Sequence, residues 1–293
     1  MWLVVIFSGC DVKTGVIVSH FGVKVLVEDT HGVRMPFHVA RKSGHVVGDF
    51  VDLDEPRLKR LPRRNELSRK VHVKTQVIAA NLDALGIVTS VIPKTPRKFI
   101  DLVVVGALSQ NIRPFIVVNK SDEAETTQYY EELCAAFGED ISIFKVSAKK
   151  GNHIAELFEF LKKVGRTAFV GVSGAGKSSL VNALLPDAHL SIGLIDAANQ
   201  HGQHMTTVST LLKLPGAGEL IDTPGIRDFE PVDVLPAQLA HYFLGFEEFL
   251  QDPCKFRNCL HLNEPECTII QAVKSGKIKK ERYQNYVQML QNL

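Results

Sequence analysis

The segment Gly171-Val172-Ser173-Gly174-Ala175-Gly176-Lys177-Ser178 constrains the fold of this 293-residue chain more than any other stretch. It opens within the strand-like run 169–172 and leads into a helix-compatible stretch, 177–185, that stops before Pro186. A strand that breaks into a glycine-rich turn and then a helix is the context that G-x-x-x-x-G-K-[ST] requires. The glycines let successive backbone N–H groups turn inward around a β-phosphate. The helix N-terminus adds partial positive charge. In this arrangement Lys177 reaches the β- and γ-phosphates, the Ser178 hydroxyl ligates Mg²⁺, and Ser179 follows in the first helical turn.

The surrounding pattern is α/β. Residues 99–105, 114–118 and 141–146 are near-continuous apolar runs, as expected of strands buried on both faces of a parallel sheet. Helical stretches are predicted at 123–137 and 153–163, the latter with Asn152 as a cap and Lys162 and Lys163 in its last turn. Residues 208–214 and 219–221 read as a hairpin about Pro215-Gly216. Residues 1–54 differ: β-rich runs at 2–7, 16–18, 23–27 and 46–47 are punctuated by glycines, which suggests a small OB-like barrel. The expected division is an OB-like β-barrel at 1–60, a basic linker at 61–75, an α/β P-loop domain at 76–232 and a mostly helical C-terminal domain at 233–293.

Two further motifs specify the ligand. Asn119-Lys120-Ser121-Asp122 follows the strand 115–118 and has the form N-K-x-D. The Asp122 carboxylate can accept from guanine N1–H and its exocyclic amine, whereas adenine would leave it facing an acceptor. Asn119 can bond the base or tie loops together, and the Lys120 stem can cover the base face. Ser147-Ala148-Lys149, about 25 residues later, ends another strand where a backbone N–H can meet guanine O6. Asp222-Thr223-Pro224-Gly225 closes the hairpin. Asp222 can hold Mg²⁺ through water, and the Gly225 N–H can sense a γ-phosphate. Between these segments, Gly202-Gln203-His204-Met205-Thr206-Thr207 offers a threonine, Thr206 or Thr207, to complete the Mg²⁺ shell. The base-reading motifs precede the phosphate loop, so the motif order is circularly permuted. A doubly wound sheet tolerates this if the old termini were close and the new cut lies in a loop.

Cys254, Cys259, His261 and Cys267 form C-x4-C-x-H-x5-C. This soft, tetrahedral donor set suits a structural Zn²⁺. Five cysteines, three of them clustered, argue against a disulfide framework and for a reducing, cytoplasmic setting. Cys10 and Cys134 read as packing residues. Net charge is only +2, but residues 57–74 carry eight Lys/Arg against one Glu, as either a solvated linker or a phosphate-backbone contact strip. The apolar run near the start is short for a signal peptide, and no stretch reaches the 18 apolar residues of a membrane span.

These motifs together resemble the circularly permuted, ribosome small subunit-dependent GTPase A family. The resemblance rests on the barrel-like start, NKSD, SAKKG, GVSGAGKSSL, GQHMTT, DTPGIRDF and the Cys/His cluster, and it covers nearly the whole chain. It implies GTP hydrolysis to GDP in late maturation of the small (30S) ribosomal subunit. It also implies rRNA binding, turnover stimulated by the subunit, and encounters with other assembly factors. The catalytic set it implies is Lys177, His204 and Thr207, with His204 positioning the attacking water and Ser178, Thr207 and Asp222 around Mg²⁺. The chain is expected to be a monomer. Two residues depart from the family's G-R-H-T-T-T loop: Gln203 replaces the arginine and Met205 the first threonine. The position after D-x-x-G is Ile226, which cannot orient water, so slow intrinsic turnover and dependence on a partner are expected. The competing reading is an RNA-binding module in which nucleotide only sets conformation.

Overall fold

The computed structural model describes residues 13–54, 58–71, 74–138, 140–186, 209–222, 234–252 and 254–293. The expected strand at 2–7, Cys10, and the segments 202–207 and 223–226 lie outside the described residues.

The strands are β1 (Thr14–His20), β2 (Lys24–Asp29), β3 (Arg34–His38), β4 (Phe50–Asp52), β5 (Lys59–Arg60), β6 (Glu66–Val71), β7 (Lys74–Ala80), β8 (Ala84–Thr89), β9 (Arg113–Val118), β10 (Ile143–Lys145), β11 (Arg166–Val170), β12 (Ser209–Lys213) and β13 (Glu219–Asp222). The helices, numbered in chain order, are α1 (Arg97–Ser109), α2 (Thr126–Phe137), α3 (Ile154–Val164), α4 (Lys177–Leu184), α5 (Leu239–Tyr242), α6 (Glu247–Leu250), α7 (Thr268–Lys274) and α8 (Lys280–Leu290).

One large sheet runs β10-β9-β8-β11-β13-β12-β1-β2-β3. From β10 to β13 all neighbours are parallel. β12 then pairs antiparallel with β13, and β1 antiparallel with β12. The period of two along each parallel strand sends alternate side chains to two cores. Ile87, Ile116, Val118 and Val170 pack with Ile100, Val103, Leu133 and Phe137 of α1 and α2. Val88, Phe115, Val117 and Phe169 pack with Leu157 and Leu161 of α3 and Leu180 of α4. A third core holds α5 to α8 together around Phe243, Phe246 and Tyr286.

Four features differ from the sequence reading. The apolar run 99–105 is the middle of α1, not a strand. Its residues Phe99, Ile100, Val103 and Val104 are buried between the sheet and the C-terminal helices, and a helix with two covered faces loses its amphipathic signature. The strand at that place in the sheet is β8, buried at every residue, which the sequence reading does not pick out. Finally, part of the stretch expected to be a linker, 61–75, enters the β6–β7 hairpin, whose bulge lies between Leu67 and Ser68. The cap of α3 also shifts: His153, in the left-handed region, precedes it with no side-chain cap bond.

β8 tolerates no bulk at its centre. A Cβ on Gly86 would stand 2.5 Å from the Phe169 ring and 2.7 Å from Phe115. Both rings are locked in an edge-to-face cluster with Phe144 and Phe160. Gly86→Ala is expected to lower stability by about 1–3 kcal/mol through overpacking, read as a lower urea midpoint with an unchanged slope.

Candidate functional site

The described motif segments converge where the parallel strands end. The phosphate-loop sequence leaves β11, Asn119–Asp122 leaves β9, Ser147–Lys149 follows β10, and Asp222 ends β13. In an open α/β sheet the crevice outside the carboxyl ends of the strands is where ligands bind.

Within the glycine-rich loop the backbone leaves little choice of residue. Gly174 and Gly176 have φ of +80° and +96°, in the left-handed region that glycine enters without strain. A Cβ on Gly171 would lie 2.3 Å from the Val88 carbonyl, and one on Gly176 2.3 Å from Asn119 Nδ2. The loop is therefore pressed onto β8 on one side and onto Asn119 on the other. Ala175 is buried, while Ser173, Ser178 and Ser179 are exposed at the mouth of the loop and on the first turn of α4. The Lys177 ammonium donates to the carbonyls of Gly171 at 2.5 Å and Val172 at 3.1 Å, so it is held over the loop.

Asn119 is the joint between loops. It is 2% exposed. Its Nδ2 donates to the carbonyls of Ala175 (3.0 Å) and Gly176 (3.4 Å), and its Oδ1 accepts from the Ala148 amide at 3.1 Å. Of the two roles that the sequence leaves open for Asn119, loop tying is realised here. Asp122 is exposed, and its Oδ1 accepts from the Ser147 hydroxyl at 2.6 Å. That bond, then its own backbone amide and the charges of Lys149 and Lys150, hold its carboxyl below the usual carboxylate range. An ionised carboxylate at the rim is an acceptor-only group, which suits a ligand edge bearing two donors. Lys120 sits at φ +63° and its ammonium donates to the Ile92 carbonyl. Its own carbonyl accepts from Thr126 Oγ1 at 2.8 Å.

Sequence reasoning missed the turn at 90–95. Ser90 Oγ donates to the Pro93 carbonyl at 2.9 Å, and the Thr95 amide to the Ser90 carbonyl at 3.0 Å. Pro93 lies against Gly174, where a Cβ would approach its Cδ to 3.2 Å. Pro93, with Pro96 just beyond, is the sequence signal for it. Gln203, His204, Met205, Thr206, Thr207, Gly225 and Ile226 lie outside the described residues.

The second cluster lies in the C-terminal part. The ligand atoms of Cys254, Cys259, His261 and Cys267 are all within 4.8 Å of one another. His261 Nδ1 is 3.2 Å from Cys267 Sγ, 3.5 Å from Cys259 Sγ and 3.6 Å from Cys254 Sγ, and the Cys254 and Cys267 sulfurs are 3.9 Å apart. Donors about 2.3 Å from a tetrahedral ion have edges of about 3.8 Å, so the four atoms fit one metal. Burial pushes the Cys259 thiol up to about 12; ionising it at neutral pH calls for a cation. The cluster is also held by groups absent from the motif. Burial opposes ionisation of Glu264, yet amides of Leu260, its own residue, Leu262 and Asn263 bring its carboxyl to about 2. Tyr283 and Tyr286 donate to the His261 and Leu260 carbonyls at 2.7 and 2.9 Å.

Comparison with known proteins agrees with this geometry. The profile of the RsgA GTPase family matches residues 60–231. A protein of Shewanella oneidensis named small ribosomal subunit biogenesis GTPase RsgA is 41% identical over 238 residues, covering 79% of this chain and 66% of that one. Its namesake from Actinobacillus succinogenes is 36% identical, covering 96% and 84%. Among solved structures, YjeQ from Thermotoga maritima superposes with a TM-score of 0.74 at 33% identity, covering 96% of this chain and 98% of that one. YloQ, described as a circularly permuted GTPase, gives 0.70 at 26% identity, covering 96% and 94%. The chain belongs to the RsgA GTPase family of GTP-hydrolysing enzymes, with its N-K-x-D and S-A-K segments ahead of the G-x-x-x-x-G-K-S loop.

Proposed function

We propose that the chain hydrolyses GTP in step with late maturation of the small ribosomal subunit, binding its rRNA and turning over faster in its presence. The observation that carries this reading is the Asn119 joint. It ties the G-x-x-x-x-G-K-S loop to the S-A-K loop, whose Ser147 hydroxyl in turn donates to the Asp122 carboxylate, all at the sheet's carboxyl end. The relatives' name supplies the ribosomal partner.

In this reading amides 171–176 and Lys177 surround the phosphates, with Ser178 and Ser179 at the helix start. Asp122 selects guanine, and Lys120, Ser147, Ala148 and Lys149 frame the base. Mg²⁺ would neutralise charge on the phosphates, and Ser178, Asp222 and Thr207, with Thr206 beside it, are the oxygen donors that would hold it. Water attacks the γ-phosphorus as its bond to the β–γ bridging oxygen breaks, leaving GDP and inorganic phosphate. The negative charge that develops meets the Lys177 ammonium and the loop amides. His204 is assigned to the water, and Ile226 offers no help there, which is why the subunit is needed. A single structural Zn²⁺ would be held by Cys254, Cys259, His261 and Cys267, contributing folding energy that so small a core lacks. The N-terminal strands are read as an OB-like unit, 1–60, that meets RNA together with the basic stretch 61–75. The GTPase domain then spans 76–232 and the zinc-binding domain 233–293. Other assembly factors, monomeric state and cytoplasmic location complete the reading.

The decisive measurement is GTP turnover with and without purified small ribosomal subunits. Stimulation supports the proposal, and equal rates would defeat it in favour of an RNA-binding module. Asp122→Ala is expected to weaken GTP binding about 10- to 100-fold and to erase the preference over ATP in nucleotide titrations. Metal analysis is expected to find one zinc per chain and to lose it in Cys267→Ser. Chelation should lower the melting temperature of the wild type and leave that of Cys267→Ser unchanged.

A further inference from the structure

Arg282, in the first turn of α8, meets three elements at once. Its guanidinium pairs with Asp101, whose side chain is wholly buried on α1. Its Nε and Nη2 donate to the Leu244 carbonyl at 3.2 and 2.9 Å. The same planar group lies 4.1 Å from the ring centre of Phe243 and 5.0 Å from that of Phe137, the last residue of α2. Asn285 donates to the other Asp101 oxygen at 3.3 Å. Burial pushes the Asp101 carboxyl up, and the Arg282 charge opposes that shift. An ion pair so deeply placed is a poor source of net stability, because apolar side chains of the same volume do as well. What it does supply is a fixed, directional geometry between elements that apolar packing alone would let slide.

Those elements lead to both sites. The turn 90–95 runs into α1 and touches Gly174 through Pro93 and Lys120 through the Ile92 carbonyl. α2 begins where Thr126 grips the Lys120 carbonyl, and its Tyr129 hydroxyl donates to the Thr95 carbonyl at 3.2 Å. On the other side, α8 holds the backbone of the Cys/His cluster through Tyr283 and Tyr286. Arg282 stands between the two sets of contacts.

We propose that Arg282 is a positioning residue that couples metal occupancy of the Cys/His cluster to the guanine side of the nucleotide pocket. Metal seats the 259–261 backbone on α8; α8, through Arg282, fixes α1 and α2 and with them Lys120 and the Ile92 turn. This rests on the nucleotide and zinc reading given above. Linkage makes the effect reciprocal, so bound nucleotide tightens the metal by the same factor.

The test measures dissociation of fluorescent GDP from the full chain, zinc-loaded and chelator-stripped, in wild type, Arg282→Met and Arg282→Lys. Stripping is expected to speed release from the wild type at least about five-fold. Zinc-loaded Arg282→Met is expected to release GDP at the stripped wild-type rate, with stripping adding little more. Should Arg282→Met lose its cooperative melt, Arg282→Lys carries the comparison, since it keeps the charge without the planar fork. A merely structural Arg282 would lower the melting temperature and leave the zinc effect on release intact, and that result overturns the inference. So does a wild-type release rate indifferent to zinc. A chain that binds GDP and zinc independently defeats this coupling alone, whereas a chain that binds no GDP defeats the function from which it starts.

Discussion

The Asn119 carboxamide donates through one end to the carbonyls of Ala175 and Gly176 and accepts through the other from the Ala148 amide. Each of these loops leaves a different strand, and each would otherwise have its own freedom. A buried amide with both ends satisfied removes that freedom, because breaking either contact strands a polar group away from water. Gly176 has its left-handed backbone and its lack of a Cβ for the same reason, since a side chain there would displace the amide. The positions of Lys177 and Asp122 relative to one another follow from this joint.

The local parts of the site were legible because their chemistry is local. A phosphate loop needs glycines, a lysine and a hydroxyl within a few residues, and the strand before it and helix after it can be read from the same stretch. The four Cys/His side chains that could hold a metal likewise fall within a short span. What the sequence could not display is contact between distant segments. Pro93 against Gly174, Asn119 against Ala175, and Arg282 against Asp101 pair residues far apart in the chain with no motif to announce them. Glu264 stands between His261 and Cys267 but carries no ligand signature, and only the fold aims its carboxylate at the amides of Leu260, Leu262 and Asn263.

The fold was misread where periodicity is silent. Residues 99–105, interrupted only by Asp101, and 84–89, which end in Thr89, are both mostly apolar stretches, yet the first is helical and the second extended. α1 is covered on one side by the sheet and on another by the C-terminal helices. A helix covered twice and a strand covered twice present the same composition, and length and flanking residues are the remaining guides. Here Pro96 immediately before α1 was that guide, since proline is favoured at helix starts.

β12, antiparallel to β13, would be a bare edge of the sheet, but β1 lies along part of it, with Ser19 opposite Thr210 and His20 opposite Ser209. Lys213 at its far end is paired with the buried Glu28 of β2. The opposite edge, β10, is only three residues long and ends in Lys145, which limits what can zip onto it. The N-terminal strands thus act as a selvedge that keeps the weave from running on into a neighbouring molecule. A chain shorn of them would offer β12 as an unfinished border to its own copies, so self-association would set in well before any failure of the nucleotide pocket.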